Sequence, residues 1–339
     1  MRSSPPCPPS SATDAVGGGA GLNFTDWVHV SAPATSANLG PGFDTLGLAL
    51  EWRQAVRCRL AAAGLEIQVS GNATGAIPTD ESNLVARAAR AVLEQVGHRD
   101  LGLRIVLDAD LPVGGGLGSS AAAVAAGLTA ANALCGNQLG VDQLLQMGTA
   151  IEGHPDNLAP ALLGGVCVAC QGAGPDRPVL AVRLEPPPDL EALVAIPNRH
   201  LQTREARQVL PSSVPFADAV ANVQRASLLV AAVATGRLQV LVEATRDRLH
   251  EPYRATLLPG LTACREQAVA AGALGAFLSG AGSSLLVLWP SGQAVAPGVA
   301  EALATYLGRN GGGTVRRLRL AVGGVTAIPC AAPDERMSP

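Results

Sequence analysis

A chain of 339 residues, 48% hydrophobic and 15% charged, has the material for two modest domains with a sizeable core. A net charge of −3 and an aromatic content of 3% argue against nucleic acid as a partner, since neither a phosphate-binding field nor base-stacking platforms are available. All 24 basic residues are arginine, which excludes Schiff-base lysines, lysine general bases and lysine-bearing phosphate loops.

The first ~25 residues are rich in Pro, Ser and Gly and lack the apolar stretch of a signal peptide, so a disordered tail over 1–25 is expected and the cytoplasm is the default location. No run of about 18 uncharged apolar residues marks a membrane span. In chain order, strands are predicted from Trp27, then at Gln54–Leu60, Leu65–Ser70 and Leu103–Leu107, with a helix after the acidic start at Asp80. The Ala-rich, almost charge-free stretch Ser119–Leu134 reads as a fully buried helix, and Val141–Ile151 as a second one. Strands follow at Gly165–Cys170, Val179–Leu184 and Ala192–Ile196, around the break Pro186-Pro187-Pro188. Helices are then expected at Phe216–Thr235, Leu238–Leu249 and Gly260–Ala271, strands at Ala276–Ser279 and Leu285–Leu288, a helix near Ala294–Leu307 and a last strand at Thr314–Val322. This mixture predicts an α+β protein of two domains, 26–175 and 176–311, with the final strand, about 312–328, a candidate to return to the first. The seven cysteines are scattered and odd in number, and the lone Cys167-x-x-Cys170 has no second pair, so structural thiols are expected rather than disulfides or zinc.

The strongest local signal is Pro112-Val113-Gly114-Gly115-Gly116-Leu117-Gly118-Ser119-Ser120-Ala121-Ala122. The proline ends a strand, and the glycines let the backbone turn its N–H groups toward one point at the start of the buried helix. Such a helix start, with positive partial charge, is an anion site, and two serine hydroxyls add contacts for phosphate or Mg²⁺. A Walker loop would need Lys, a dinucleotide fingerprint would need a third Gly where Ser119 stands, and a nucleophile elbow would need Gly-x-Ser-x-Gly. The loop resembles the phosphate loop of the GHMP kinases (galactokinase, homoserine kinase, mevalonate kinase and phosphomevalonate kinase), a family without the Walker lysine.

Four other segments are similar to the homoserine kinases of that family. Ser31–Asp44 ends in a tight Gly40-Pro41-Gly42 turn that presents Asn38 and Asp44, an amide and a carboxylate suited to gripping a hydroxyl and an ammonium. Glu152-Gly153-His154-Pro155-Asp156-Asn157 gathers two acids and a histidine, with Glu152 a candidate Mg²⁺ ligand. Thr203-Arg204-Glu205-Ala206-Arg207 and Glu251-Pro252-Tyr253-Arg254 supply guanidiniums that can hold a carboxylate by paired hydrogen bonds. A fifth stretch, Leu278–Ser284, matches the family's C-terminal glycine loop, with Ser283 where relatives commonly carry Pro.

The resemblance implies a two-domain fold, with a ribosomal-protein-like N-terminal α+β domain and a ferredoxin-like C-terminal one, and sites in the cleft between them. It implies ATP and Mg²⁺ as cofactors, L-homoserine as substrate, a homodimer, and transfer to an alcohol in threonine synthesis. By residue, it points to nucleotide phosphates on Pro112–Ala122, Mg²⁺ on Ser120 and Glu152, and catalytic work for Asn38, Asp44, Asp156 and Arg207. Substrate contacts are expected from these four residues together with His154, Thr203 and Arg254. The readings that compete are a GHMP kinase for another small alcohol and a catalytically silent nucleotide-binding regulator on the same fold.

Overall fold

The computed structural model describes residues 24–71, 74–172 and 178–333. Nearly all of the expected 1–25 tail lies outside them. Strands β1 (Trp27–Ala37) and β2 (Leu46–Ala61) pair antiparallel, with a register shift between Pro33 and Ala34. The shift falls beside a residue that has no N–H to give the ladder. β3 (Leu65–Ser70), α1 (Leu84–Gln95) and β4 (Gly102–Asp108) follow, and β4 joins β2 antiparallel and β3 parallel. Asn83 starts α1 by accepting the N–H groups of Val85 and Ala86.

Next come α2 (Ser119–Leu134), α3 (Val141–Glu152), α4 (Leu158–Leu163), β5 (Val166–Gln171) and β6 (Val179–Leu184). The first sheet runs β11-β1-β2-β4-β3, with β5 on the other part of β2 and β6 on β5; β11 is Thr326–Cys330. α2 is buried as its composition demands. Small side chains at Ala122, Ala125 and Ala126 let it lie tightly against the sheet and α1.

The second sheet is antiparallel, in the order β10-β7-β9-β8. Its strands are β7 (Leu190–Pro197), β8 (Gly275–Leu278), β9 (Leu285–Pro290) and β10 (Gly313–Arg319). Between and beside them stand α5 (Thr203–Gln208), α6 (Phe216–Thr235), α7 (Leu241–Ala244), α8 (Glu251–Arg254), α9 (Leu261–Ala270) and α10 (Pro297–Arg309). All of β7 is buried. Ala192, Val194 and Ile196 join the core of the first sheet, while Leu193 and Ala195 pack with Leu303 and Tyr306 under α10. A strand covered on both faces must read as an apolar run, and this one does from Ala192 onward; Glu191, near its start, is paired with Arg317. The two domains therefore share one hydrophobic boundary, which fixes the cleft between them.

Three expectations need correction. The helix expected over Leu238–Leu249 is broken into a 3₁₀ turn, Leu238–Val240, and the short α7. α7 stops at Ala244, and the helix does not resume to Leu249 because the Asp247 carboxylate accepts the N–H groups of Leu249, His250 and Glu251 and so offers the backbone an alternative. The last predicted strand ends early: β10 stays in the second sheet, Leu320 bridges Leu50 in the first, and the return over β1 is made by β11. Finally, a division at 175/176 would cut the hairpin formed by β5 and β6, so we place the domain passage at Pro186–Pro188.

Among the described residues, α6 alone is long and apolar enough by composition to cross a membrane. It nevertheless pairs Arg225 with Glu243 and Asp218 with Arg248, and Asn222 binds the carbonyl of Pro41.

Candidate active site

The phosphate-type loop between β4 and α2 is strapped to the second domain by its carbonyls. Gly114 O accepts Leu201 N, Gly115 O accepts Ser284 N at 3.1 Å, and Gly116 O accepts Ser279 Oγ at 2.6 Å. With these carbonyls engaged by the second domain, the loop's N–H groups are what it can offer an anion. At Gly116, φ is +76° and a Cβ would meet the carbonyls of Ser279 and Gly282 at 2.3 and 2.8 Å, so glycine is required there. α2 then begins without a side-chain cap, which keeps its first N–H groups available to an anion. Gly114, Gly116, Gly118, Ser119 and Ser120 line a cleft of about 230 Å³. Pro112, Val113, Gly115 and Leu117 shape the turn behind it, while Ala121 and Ala122 are buried in α2.

Every acidic, basic and amide residue singled out from the sequence reaches this cleft: Asn38, Asp44, Glu152, His154, Asp156, Arg207 and Arg254, with Thr203 beside them. Asn38 stands where β1 runs out, at φ +69°, and Asp44 follows at φ +55°, left-handed conformations that short polar side chains tolerate. Leu39 between them, at φ +47° and buried, is strained, a common property of loops that present ligand-binding groups. Asn38 Oδ1 accepts Asp44 N, and its Nδ2 donates to Gly280 O at 2.9 Å, which ties the loop to the second domain.

Glu152 closes α3, and Ser120 Oγ donates to its Oε2 at 2.9 Å. Burial raises the Glu152 carboxyl above its ordinary value, and the Ser120 hydrogen bond opposes that shift. Two oxygen donors this close to a helix start suit a hard cation that keeps phosphate and water oxygens as its other ligands. Asp156 is buried, and its Oδ1 lies 2.8 Å from His154 Nδ1 while also accepting the N–H of Asn157. That hydrogen bond is the main reason the His154 imidazole is held above its usual value, with burial working against it.

The two arginines differ in setting. Arg207 is partly exposed and makes a two-point contact with Asp44. Arg254 is buried: Nε donates to Ala206 O, and Nη1 to both Gly280 O and His250 Nδ1. Among the described residues its Nη2 has no hydrogen-bond partner, and the residue lines the cleft. Burial first, and Arg207 second, lower the Arg254 guanidinium to about 10. Phe43 sits between them, with both guanidinium carbons within 5.4 Å of its ring centre.

Comparison with known proteins bears on this arrangement. The chain matches the family models described as GHMP kinases N terminal domain, over residues 83–165, and GHMP kinases C terminal, over residues 229–307. It is 44% identical over 279 residues to a homoserine kinase of Carboxydothermus hydrogenoformans, covering 82% of this chain and 90% of that protein. The chain belongs to the homoserine kinase family. A homoserine kinase of Streptomyces avermitilis is 42% identical over 90% of this chain and 97% of its own length. The crystal structure of a homoserine kinase from Cytophaga hutchinsonii superposes with a TM-score of 0.81 at 33% identity, covering 90% of this chain and 98% of that one. The fold is thus the two-domain GHMP kinase fold, and the protein is an ATP-dependent kinase for an alcohol acceptor.

Sequence reasoning passed over several groups that shape this homoserine kinase cleft. Phe43 spaces the arginines, and the Asp247–His250 pair stands behind Arg254; the Leu278–Ser284 loop was expected, but not that Gly280 O anchors both Asn38 and Arg254. The available signal was the spacing of His250 and Arg254, four residues apart at the short α8.

Proposed function

We propose that the protein transfers the γ-phosphoryl group of ATP to the hydroxyl of L-homoserine, giving O-phospho-L-homoserine and ADP in threonine synthesis. The observation that carries this reading is the meeting, in one cleft, of an uncapped helix start with two guanidiniums and a carboxylate. The N–H groups of Gly114–Ser120 take the ATP phosphates. Ser120 and Glu152 are the residues that would hold Mg²⁺, which when bound neutralises phosphate charge.

A zwitterionic amino acid fits beside an existing ion pair, because its carboxylate meets Arg207 while its ammonium meets Asp44 and all four charges stay compensated. The free Nη2 of Arg254 supplies a second contact to the carboxylate. Asn38 has one amide hydrogen left to orient the acceptor hydroxyl. His154, held by Asp156, and Thr203 border the same space. Phosphoryl transfer of loose character needs alignment and charge compensation more than a strong base, so the absence of lysine from the chain is no obstacle.

We also take the protein to be cytoplasmic and homodimeric. The exposed Phe216 and Val223 on α6 support a seam there, which sedimentation would test. ADP release from Mg·ATP with homoserine, mevalonate, galactose or no acceptor tests the function. Stimulation by homoserine alone is expected, and stimulation by a different acceptor alone would overturn the roles given to Arg207 and Arg254.

A further inference from the structure

Behind Arg254 lies a fully buried set of polar groups that touches neither the phosphate loop nor the Ser120–Glu152 pair. His250 stands at the N-terminal end of α8, and both of its ring nitrogens are engaged. Nε2 lies 2.8 Å from Gly40 O, and Nδ1 lies 3.1 Å from Arg254 Nη1. A carbonyl oxygen can only accept and a guanidinium can only donate, so the network dictates the tautomer: Nε2 carries the hydrogen and Nδ1 is bare. An imidazolium would set an N–H against the Arg254 N–H. Burial first, with Arg254 and Arg265, acts against the charged ring, while Asp247, 3.7 Å from Nε2, and the bond to Gly40 O favour it, and the net direction is downward.

This neutral ring spans two domains. On one side is the loop that carries Asn38 and Asp44, fixed at Gly40. Its φ is +83°, and a Cβ would lie 2.1 Å from the carbonyl of Thr245, so the loop backbone presses directly on the second domain. On the other side is a guanidinium that lines the cleft and whose Nε and Nη1 donors are spent on fixed acceptors, which leaves Nη2 without a partner among the described residues. The backbone of α8 is itself pinned, because Asp247 accepts the N–H groups of His250 and Glu251 at 2.8 and 2.7 Å. The Phe43 ring, 5.2 Å from that of His250, closes the gap between the two arginines.

We propose that His250 is a positioning residue for acceptor recognition: its Nε2–H holds the Asn38–Asp44 loop while its bare Nδ1 orients Arg254 toward the acceptor carboxylate. This rests on the homoserine reading above. Asparagine and glutamine separate the two halves of the ring. Gln places an N–H near the Nε2 position and keeps the bond to Gly40. Asn places an oxygen near the Nδ1 position and keeps the acceptor for Arg254.

The experiment is steady-state kinetics of wild type, His250→Gln and His250→Asn, each with its unfolding midpoint. For His250→Gln the expected result is a rise in KM for homoserine of about tenfold or more with KM for ATP within about twofold. His250→Asn should raise KM for homoserine less. Homoserine KM within about twofold of wild type in His250→Gln, or KM for both substrates rising together, would overturn the proposal. A wild type that does not phosphorylate homoserine at all would instead remove the reading beneath it. If a variant does not fold, long-range ¹H–¹⁵N NMR of the wild-type imidazole decides. A bare Nδ1 and a protonated Nε2 are expected, and the opposite tautomer refutes the bridge.

Discussion

Asp44 and Arg207 lie in different domains and meet in a two-point ion pair, Nη2 to Oδ1 at 2.6 Å and Nη1 to Oδ2 at 3.1 Å. Both side chains are more than one third exposed, so the pair adds little to stability; exposed pairs are worth roughly 0–1 kcal/mol. Its value lies in placing one negative and one positive group side by side where a zwitterion can lie across them. Asp44→Asn is therefore expected to raise KM for homoserine about tenfold or more while unfolding midpoints stay close to wild type. Steady-state kinetics and thermal denaturation check both halves. A variant that loses stability and keeps its homoserine KM would refute this use of the pair.

Arg254 contrasts with Arg207. Three of its donor contacts go to Ala206 O, Gly280 O and His250, all in a buried setting. A lysine cannot reproduce that fork, and the carbonyls it leaves unmatched cannot turn to water. Arg254→Lys should lose at least about 2 kcal/mol of stability by denaturant titration, whereas Arg207→Lys should change it by less than about 1 kcal/mol. Equal effects would mean that burial does not separate the two sites as described.

The Ser120–Glu152 pair makes a separate prediction about Mg²⁺. Glu152→Gln keeps the shape and removes the charge, so the Mg²⁺ concentration for half-maximal rate should rise about 10–100-fold. Homoserine affinity, measured apart from nucleotide, should change little. A metal requirement that does not move would assign the carboxylate elsewhere.

Buried Glu251 gives a pH signature. Burial lifts its carboxyl to about 7, against the pull of Arg265, and Leu278 N donates to Oε1 at 2.7 Å. A folded-state value above the unfolded one means stability that is fully present below about pH 4.5 and lost as pH rises through about 7. Glu251→Gln removes this dependence. Relative to wild type, the variant should gain stability as pH is raised from about 4.5 to 7, by up to about 3 kcal/mol. Denaturant titrations of both proteins across that range test it, and a constant difference would contradict the assignment.

The elements set by local chemistry were legible without coordinates. The loop at Gly114–Ser120, the buried helix Ser119–Leu134 and the presence of Arg207 and Arg254 at one cleft follow from turn chemistry, periodicity and resemblance. Contacts made across the domain boundary were not legible. Nothing local in Ser279, Gly280 or Phe43 says that they face Gly116, Asn38 and the two arginines, because those partners lie far away along the chain. The helix expected through Leu249 failed for a related reason: the Asp247 side chain competes for backbone N–H groups, and helical periodicity does not register that competition. Likewise, the end of β10 was not legible, because Leu320 and Ala321 leave the second sheet for contacts with Leu50 and Ala49, which lie far away along the chain.

The central claim is that this cleft phosphorylates the hydroxyl of homoserine. The most direct measurement is ³¹P NMR of the purified protein with Mg·ATP and L-homoserine, followed against a sample lacking homoserine. A new phosphomonoester resonance coupled to the homoserine side-chain methylene is expected, growing in step with ADP and absent from the control. ADP and inorganic phosphate at equal rates in both samples, with no phosphomonoester, would contradict it.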